Sequence, residues 1–119
     1  MLFARLCRIA GLAGLLAIFV LSMVPGQARP HVLSSGRSEH FIAYALTTLV
    51  ALVGYRQRVR SMTIVAIVTV YAGLMEILQT TVPGREAKWE DFGASASGVW
   101  FSLLLFALIR FGRNFLVRP

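Results

Sequence analysis

The chain has 119 residues, of which 57% are hydrophobic and 14% are charged, and its formal net charge at pH 7 is +7. This composition is too apolar for an ordinary soluble domain of this length and indicates a membrane protein. The excess of basic residues is explained by membrane orientation and by attraction to anionic lipid, so we predict no nucleic acid partner.

Four apolar segments follow one another along the chain. Each can cross a hydrocarbon core of about 30 Å, which takes roughly 20 helical residues. The sequence therefore predicts an all-α fold, in which residues 1–119 form one domain, a four-helix transmembrane bundle with short loops. The predicted helices cover residues 9–26, 38–55, 62–82 and 92–110.

A cleaved signal peptide is the alternative for the first segment. Arg5 and Arg8 precede the apolar stretch, and the Gly26-Gln27-Ala28 triplet resembles a small-residue cleavage site. The stretch is longer than a usual signal-peptide core, however, and cleavage would leave three spans. We therefore predict a retained helix.

Basic residues are divided unequally between the two ends of the predicted bundle. Eight lie in the N-terminal segment, the 56–60 loop and the C-terminal segment, with no acidic residue among them: Arg5, Arg8, Arg56, Arg58, Arg60, Arg110, Arg113 and Arg118. The other two loops hold equal numbers of basic and acidic residues. Because Lys and Arg beside membrane spans stay in the cytoplasm, we predict a multi-pass protein of the cell inner (plasma) membrane with both termini cytoplasmic.

Polar residues from separate segments are predicted to converge at the outer end of this bundle. Glu76 would lie about 10 Å below the outer surface, where a carboxylate facing lipid costs several kcal/mol. It should therefore point into the bundle, with Gln79 on the same face. His40 and Tyr44 lie one turn apart at the start of the second helix. Four more residues complete the candidate binding pocket: Arg37, Arg85, Asp91 and Ser95.

Several of these residues also have purely structural interpretations. Asp91 can act as the N-cap of the fourth helix, and His40 can hydrogen-bond a loop carbonyl. Glu76 and Gln79 can join helices through hydrogen bonds, and Arg85 can be an interfacial anchor. The sequence alone leaves these alternatives open.

Small residues spaced four apart predict close helix packing. In the fourth helix the two pairs are Gly93 with Ser97, and Ala94 with Gly98. In the first helix the pair is Ala10 with Gly14. Small side chains at such positions let helix backbones approach one another in a membrane.

The combined spacing of the polar residues resembles the VanZ-like family of small membrane proteins. That family's pattern is Lys-x-x-His-Phe-x-x-Tyr, then Glu-x-x-Gln, a following Arg, and Asp-x-x-x-Asn-x-x-Gly. The corresponding segments here read RSEHFIAY, EILQ, PGR and DFGASASG, with Arg37 replacing the lysine and Ser95 the asparagine. The resemblance implies an integral protein of the cell envelope, linked to resistance to the glycopeptide antibiotic teicoplanin, without a settled chemistry.

Three classes of function are consistent with these residues. The favoured class is a binding protein whose outer pocket takes a lipid headgroup or an envelope precursor, with Arg37 and Arg85 contacting anionic oxygens. The second is a membrane-embedded enzyme acting on lipids or wall precursors, with His40, Glu76 or Asp91 as acid or base. The third is a small transporter or proton-coupled component that uses Glu76, for which four short spans leave little room.

Catalysis is the less favoured interpretation, because the sequence contains no obvious activated nucleophile; Ser95 is only a weak candidate. The single cysteine, Cys7, rules out a multi-cysteine metal site, and we predict neither a metal site nor a cofactor. The predicted partners are the lipid bilayer and the lipid or precursor ligand, and a homo-oligomer is left open.

Overall fold

The computed structural model describes residues 1–116, and four α-helices contain most of them. These are α1 (Leu2–Met23), α2 (Gly36–Tyr55), α3 (Ser61–Gln79) and α4 (Trp89–Leu116). Residues 1–116 include no β-strand, so the prediction of an all-α fold is confirmed. Arg118, part of the predicted C-terminal basic cluster, lies outside the described residues.

The helix bounds differ from the predicted ones mainly near the ends of the bundle. α1 begins at Leu2 and ends at Met23, because Pro25 disfavours the helical conformation in the residue before it. A single 3₁₀ turn, Gly26–Ala28, follows. α4 is longer than the predicted 92–110 at both ends, since polar residues such as Arg113 are tolerated in a helix that extends beyond an apolar layer.

Three of the four helices, α1, α3 and α4, are long and apolar enough to cross a membrane. α2 is long enough but is less apolar, because its first two turns carry Arg37, Glu39 and His40. The part of the chain that the structure describes therefore has the composition of a membrane protein. The number of spans stays a prediction.

α2 lies at the centre of the molecule and packs against α1, α3 and α4. Its buried side chains, among them Tyr44, Thr48 and Leu52, form much of the core. Large apolar side chains such as Leu16 and Leu104 point away from that core. An outward apolar surface around an interior that also contains polar side chains is the arrangement expected for helices that face lipid.

α2 and α4 approach each other closely at Gly98. A methyl group added to Gly98 would lie 2.4 Å from the carbonyl oxygen of Phe41 and 3.1 Å from the amide nitrogen of Ala45. Such distances are far inside van der Waals contact, so a residue without a side chain is needed there. The predicted packing role of Gly98 therefore agrees with its position.

The other predicted packing pairs are partly wrong. Gly93 and Ser97 are exposed, and a methyl group added to Gly93 would meet no atom within 4 Å. Ala10 is exposed as well, whereas Gly14 faces Thr47 of α2. A four-residue spacing of small side chains places them on one face of a helix, but it does not determine whether that face meets a neighbour.

The loop that follows α1 and the loop that follows α3 contact each other directly. The backbone N–H of Gly26 donates a hydrogen bond of 3.3 Å to the carbonyl of Pro83. The turn after α3 depends on Gly84, whose φ of +73° lies in the left-handed region that favours glycine. The end of α1 and the end of α3 are thereby held beside each other.

Candidate functional site

Three helices contribute charged or titratable side chains to one largely buried cluster, at the end of the bundle that holds the α1–α2 and α3–α4 loops. A ring nitrogen of His40 (α2), a carboxylate oxygen of Glu76 (α3) and a carboxylate oxygen of Asp91 (α4) lie within 4.8 Å of one another. The side chains of His40 and Glu76 are only 10% and 9% exposed, and His40 Nδ1 is 4.0 Å from Glu76 Oε1. We call these three residues the carboxylate–histidine cluster.

The imidazole of His40 has only one hydrogen-bond partner among residues 1–116. Its Nδ1 lies 3.2 Å from the hydroxyl oxygen of Ser95, and that hydroxyl in turn donates to the backbone carbonyl of Asp91 at 3.0 Å. Its Nε2 is buried and has no partner. The proposed bond to a loop carbonyl is therefore wrong, and His40 instead connects α2 to α4.

The two carboxylates of the cluster have few stabilising neighbours. Glu76 Oε2 accepts a 3.2 Å hydrogen bond from the backbone N–H of Lys88. Within residues 1–116, no lysine or arginine nitrogen lies within 4.0 Å of a Glu76 or Asp91 carboxylate oxygen. Asp91 is in the first turn of α4 and not at its N-cap, since the helix begins at Trp89. The N-cap interpretation is therefore wrong.

Arg85 has a different role from the one that the sequence predicts. Its Nε donates to the carbonyl of Val24 at 3.1 Å, and its Nη2 donates to the carbonyl of Leu21 at 2.7 Å. These carbonyls belong to the C-terminal end of α1, where a cation also interacts favourably with the helix dipole. Burial, and after it the nearby charge of Arg29, lowers the pKa of the Arg85 guanidinium, which nevertheless stays protonated.

Arg37 is the predicted pocket residue that does not join the others. Its side chain is 64% exposed and forms a 3.5 Å ion pair with Glu90 at the surface. An ion pair this exposed contributes little to stability. Arg37 is positioned to attract anions from solution but does not line the interior.

Arg29 is a site residue that the sequence analysis misses. Its Nη2 donates to Glu39 Oε2 at 2.7 Å, and Glu39 Oε1 accepts the backbone N–H groups of Val32 and Leu33. This network joins the loop between α1 and α2 to the first turn of α2. The loops between α1 and α2 and between α3 and α4, with the helix ends beside them, hold equal numbers of acidic and basic residues. This balance was the sequence feature that could have indicated such internal ion pairs.

Two cavities open next to this network. The first, the apolar cavity, has a volume of about 380 Å³, lies between α1 and α2, and is walled mainly by aliphatic side chains such as Ile18, Leu21 and Ile42. The second, the polar cavity, has a volume of about 490 Å³ and is lined by charged groups that include Lys88 and Asp91. Both volumes are typical of pockets for small ligands.

The two cavities share three residues: Arg29, Gln79 and Arg85. The side chain of Gln79 lines both, although the residue is only 2% exposed. Its amide is therefore placed to offer hydrogen-bond donors and an acceptor to a ligand in either cavity. Tyr44 adds a buried aromatic wall to the apolar cavity, with its ring 6.5 Å from that of Tyr71.

The structure thus gathers most of the predicted pocket at one end of the bundle. The residues that lie in or beside the two cavities and the cluster are His40, Tyr44, Glu76, Gln79, Arg85, Asp91 and Ser95. Arg37 is separate from them, and Arg29 is added. The polar ends of four helices therefore surround one site that is partly apolar and partly charged.

Comparison of the chain with protein-family models, with curated proteins and with solved structures finds no match.

Proposed function

We propose that the chain is a four-span protein of the cell inner membrane that binds the anionic headgroup of a lipid, or of a lipid-linked envelope precursor, at its extracytoplasmic end. The observation that carries this proposal is the meeting of an aliphatic cavity and a charged cavity at Arg29, Gln79 and Arg85. A molecule with an apolar chain and an anionic head matches both halves.

The charged side chains around the polar cavity favour an anion. Arg29, Arg85 and Lys88 line it together with Glu86 and Asp91, so basic side chains outnumber acidic ones, and His31 adds a further N–H donor. Arg29 and Arg85 each use only some of their five N–H groups in hydrogen bonds within the protein. Donors therefore remain for phosphate or carboxylate oxygens. The headgroup would therefore bind through charge-assisted hydrogen bonds.

The aliphatic half of the site explains why a lipid is preferred over a free anion. The wall formed by Ile18, Leu21 and Ile42 comes from helices whose outer faces are apolar. An acyl or prenyl chain can pack against this wall as it packs against other lipid tails, which are equally apolar. A free phosphate would use only the polar cavity.

A serine-based reaction is not favoured at this site. Ser95 is 1% exposed, and its hydroxyl donates to the backbone carbonyl of Asp91. A nucleophile must reach its substrate and give its proton to a base. Burial keeps the hydroxyl of Ser95 away from a substrate, and its proton is donated to a backbone carbonyl, so its contact with His40 serves to position the imidazole.

The lipid proposal predicts that Arg29→Gln weakens binding of an anionic lipid by about tenfold, since a change of 1.4 kcal/mol corresponds to one lost charge-assisted contact. The measurement is native mass spectrometry of the detergent-purified protein titrated with phosphatidylglycerol and, separately, with phosphatidylcholine. Arg56→Gln is the matched control, because Arg56 is an exposed arginine at the other end of the bundle. Equal retention of phosphatidylglycerol by Arg29→Gln and the wild type would refute the proposal.

The four-span topology makes a separate prediction. A reporter inserted in the 56–60 loop should report the cytoplasm, because the basic residues of that loop retain it there. A reporter inserted at 30–36 or 86–90 should report the outside. A reporter fused after Pro119 should also report the cytoplasm. An outside signal from the C-terminal fusion would leave α2 out of the membrane and refute the four-span topology.

The resemblance to the VanZ-like family supports placing this site in the envelope, and it extends the proposal to teicoplanin resistance. The same Arg29→Gln and Arg56→Gln pair can be compared in cells exposed to the antibiotic. Protection that is lost only with Arg29→Gln is the expected result.

A further inference from the structure

We propose that His40, Glu76 and Asp91 bind one divalent transition-metal cation, of the kind that Mn²⁺ and Zn²⁺ represent. No ligand set for a metal is evident from the sequence, because the three residues are far apart along the chain and come from three helices. The inference concerns the cluster itself and does not depend on whether a lipid binds in the neighbouring cavities.

The first observation is the spacing of the ligand atoms. One imidazole nitrogen and two carboxylate oxygens lie within 4.8 Å of one another. Ligands bound at about 2.0 to 2.2 Å from one ion are separated by roughly 3 to 4 Å, depending on the coordination geometry. Small rotations of the Glu76 and Asp91 side chains would therefore close the site.

The second observation is the unpartnered nitrogen of a buried side chain. The side chain of His40 is 10% exposed, and its Nδ1 lies 4.0 Å from Glu76 Oε1. Its Nε2 is buried and has no hydrogen-bond partner in residues 1–116. A buried polar atom without a hydrogen bond costs free energy. A metal bound to Nε2 would remove that cost, while Nδ1 would keep Ser95 as its hydrogen-bonding neighbour.

The third observation is the missing countercharge. Glu76 and Asp91 place two carboxylates in one cluster, and no lysine or arginine nitrogen of residues 1–116 lies within 4.0 Å of them. Arg85, the nearest candidate in sequence, donates instead to the end of α1. A divalent cation would neutralise both carboxylates at once.

The chemistry of the donor set indicates which cations fit. One imidazole with two carboxylates suits Mn²⁺ or Zn²⁺, whereas Mg²⁺ prefers oxygen ligands and keeps most of its water. Asp91 also lines the polar cavity, which provides an entry path. Coordination positions left open by the three side chains would be filled by water or by anionic oxygens from that cavity.

The test is calorimetric titration of the full chain, purified in detergent and stripped with EDTA, with MnCl₂, ZnCl₂ and MgCl₂. We expect saturable binding of one Mn²⁺ or Zn²⁺ per chain and at least tenfold weaker binding of Mg²⁺. Asp91→Asn and His40→Gln should each weaken Mn²⁺ or Zn²⁺ binding at least tenfold. Glu90→Gln is the matched control, because this acid is exposed and lies outside the cluster and outside both cavities.

A second readout covers variants that fail to fold. The electron paramagnetic resonance spectrum of Mn²⁺ bound to the wild-type protein should show coupling to a histidine nitrogen, for which His40 is the buried candidate. Absence of saturable binding by the folded wild type overturns the proposal, and so does equal binding by Asp91→Asn and the wild type. A manganese spectrum without nitrogen coupling removes His40 from the site and overturns it as well.

Discussion

Replacing Gly98 with leucine should destabilise the protein by about 3 kcal/mol, which is the upper part of the range for an overpacked core position. The reason is the contact between α2 and α4, where even a methyl group would lie 2.4 Å from the carbonyl oxygen of Phe41. A leucine side chain cannot move away without separating the helices. The free energy of unfolding, measured by titration with sodium dodecyl sulfate from a mild detergent, gives the effect.

Two glycines of the same helix serve as matched controls. Gly93 and Gly112 are positions where an added methyl group would meet no atom within 4 Å. Leucine at either position should therefore change the free energy of unfolding by less than about 0.5 kcal/mol. If Gly98→Leu behaves like these controls, α2 and α4 do not pack through Gly98, and the position of Ser95 beside His40 loses its support.

Replacing Arg85 with glutamine should have two large effects. The hydrogen bonds from its guanidinium to the carbonyls of Leu21 and Val24 would be lost, and a hydrogen bond that involves a charged group contributes about 1.5 to 3 kcal/mol. The end of α1 would then be held less tightly. Because Arg85 also lines both cavities, binding of phosphatidylglycerol should fall by about tenfold or more.

Arg85→Lys separates the two effects. Lysine keeps the positive charge but lacks the planar guanidinium that contacts two carbonyls, so it should restore part of the lipid binding while leaving the stability lowered. Arg113→Gln, an exposed arginine of α4, is the control for loss of charge alone. Wild-type stability of Arg85→Gln would show that the end of α1 is held by other contacts.

The proposed cation site and the proposed lipid site are neighbours, and they can be distinguished. Asp91 belongs to the carboxylate–histidine cluster and also lines the polar cavity, whereas Arg29 lines only the cavities. Arg29→Gln should therefore weaken lipid binding and leave Mn²⁺ binding unchanged. An effect of Arg29→Gln on Mn²⁺ affinity would mean that the loop between α1 and α2 also shapes the cluster.

Composition and hydropathy were sufficient to predict the class of the protein. Long apolar segments that alternate with short polar loops can form little else than helices, because backbone groups within a membrane must satisfy one another. The approximate positions of α1 to α4 follow from the same pattern. The expectation that Glu76 is buried among the helices likewise needed only the cost of exposing a carboxylate to lipid, and its side chain is in fact 9% exposed.

Tertiary structure decided the partners of each polar side chain. The spacing of residues along a helix identifies a face but not what packs against it, so Gly93 and Gly98 could not be told apart before α2 was placed beside α4. In the same way, Arg85 was close enough in sequence to pair with Glu76, yet it contacts carbonyls of α1, 61 and 64 residues away. Hydrogen bonds act over about 3 Å, and a sequence read without its fold cannot supply distances between helices.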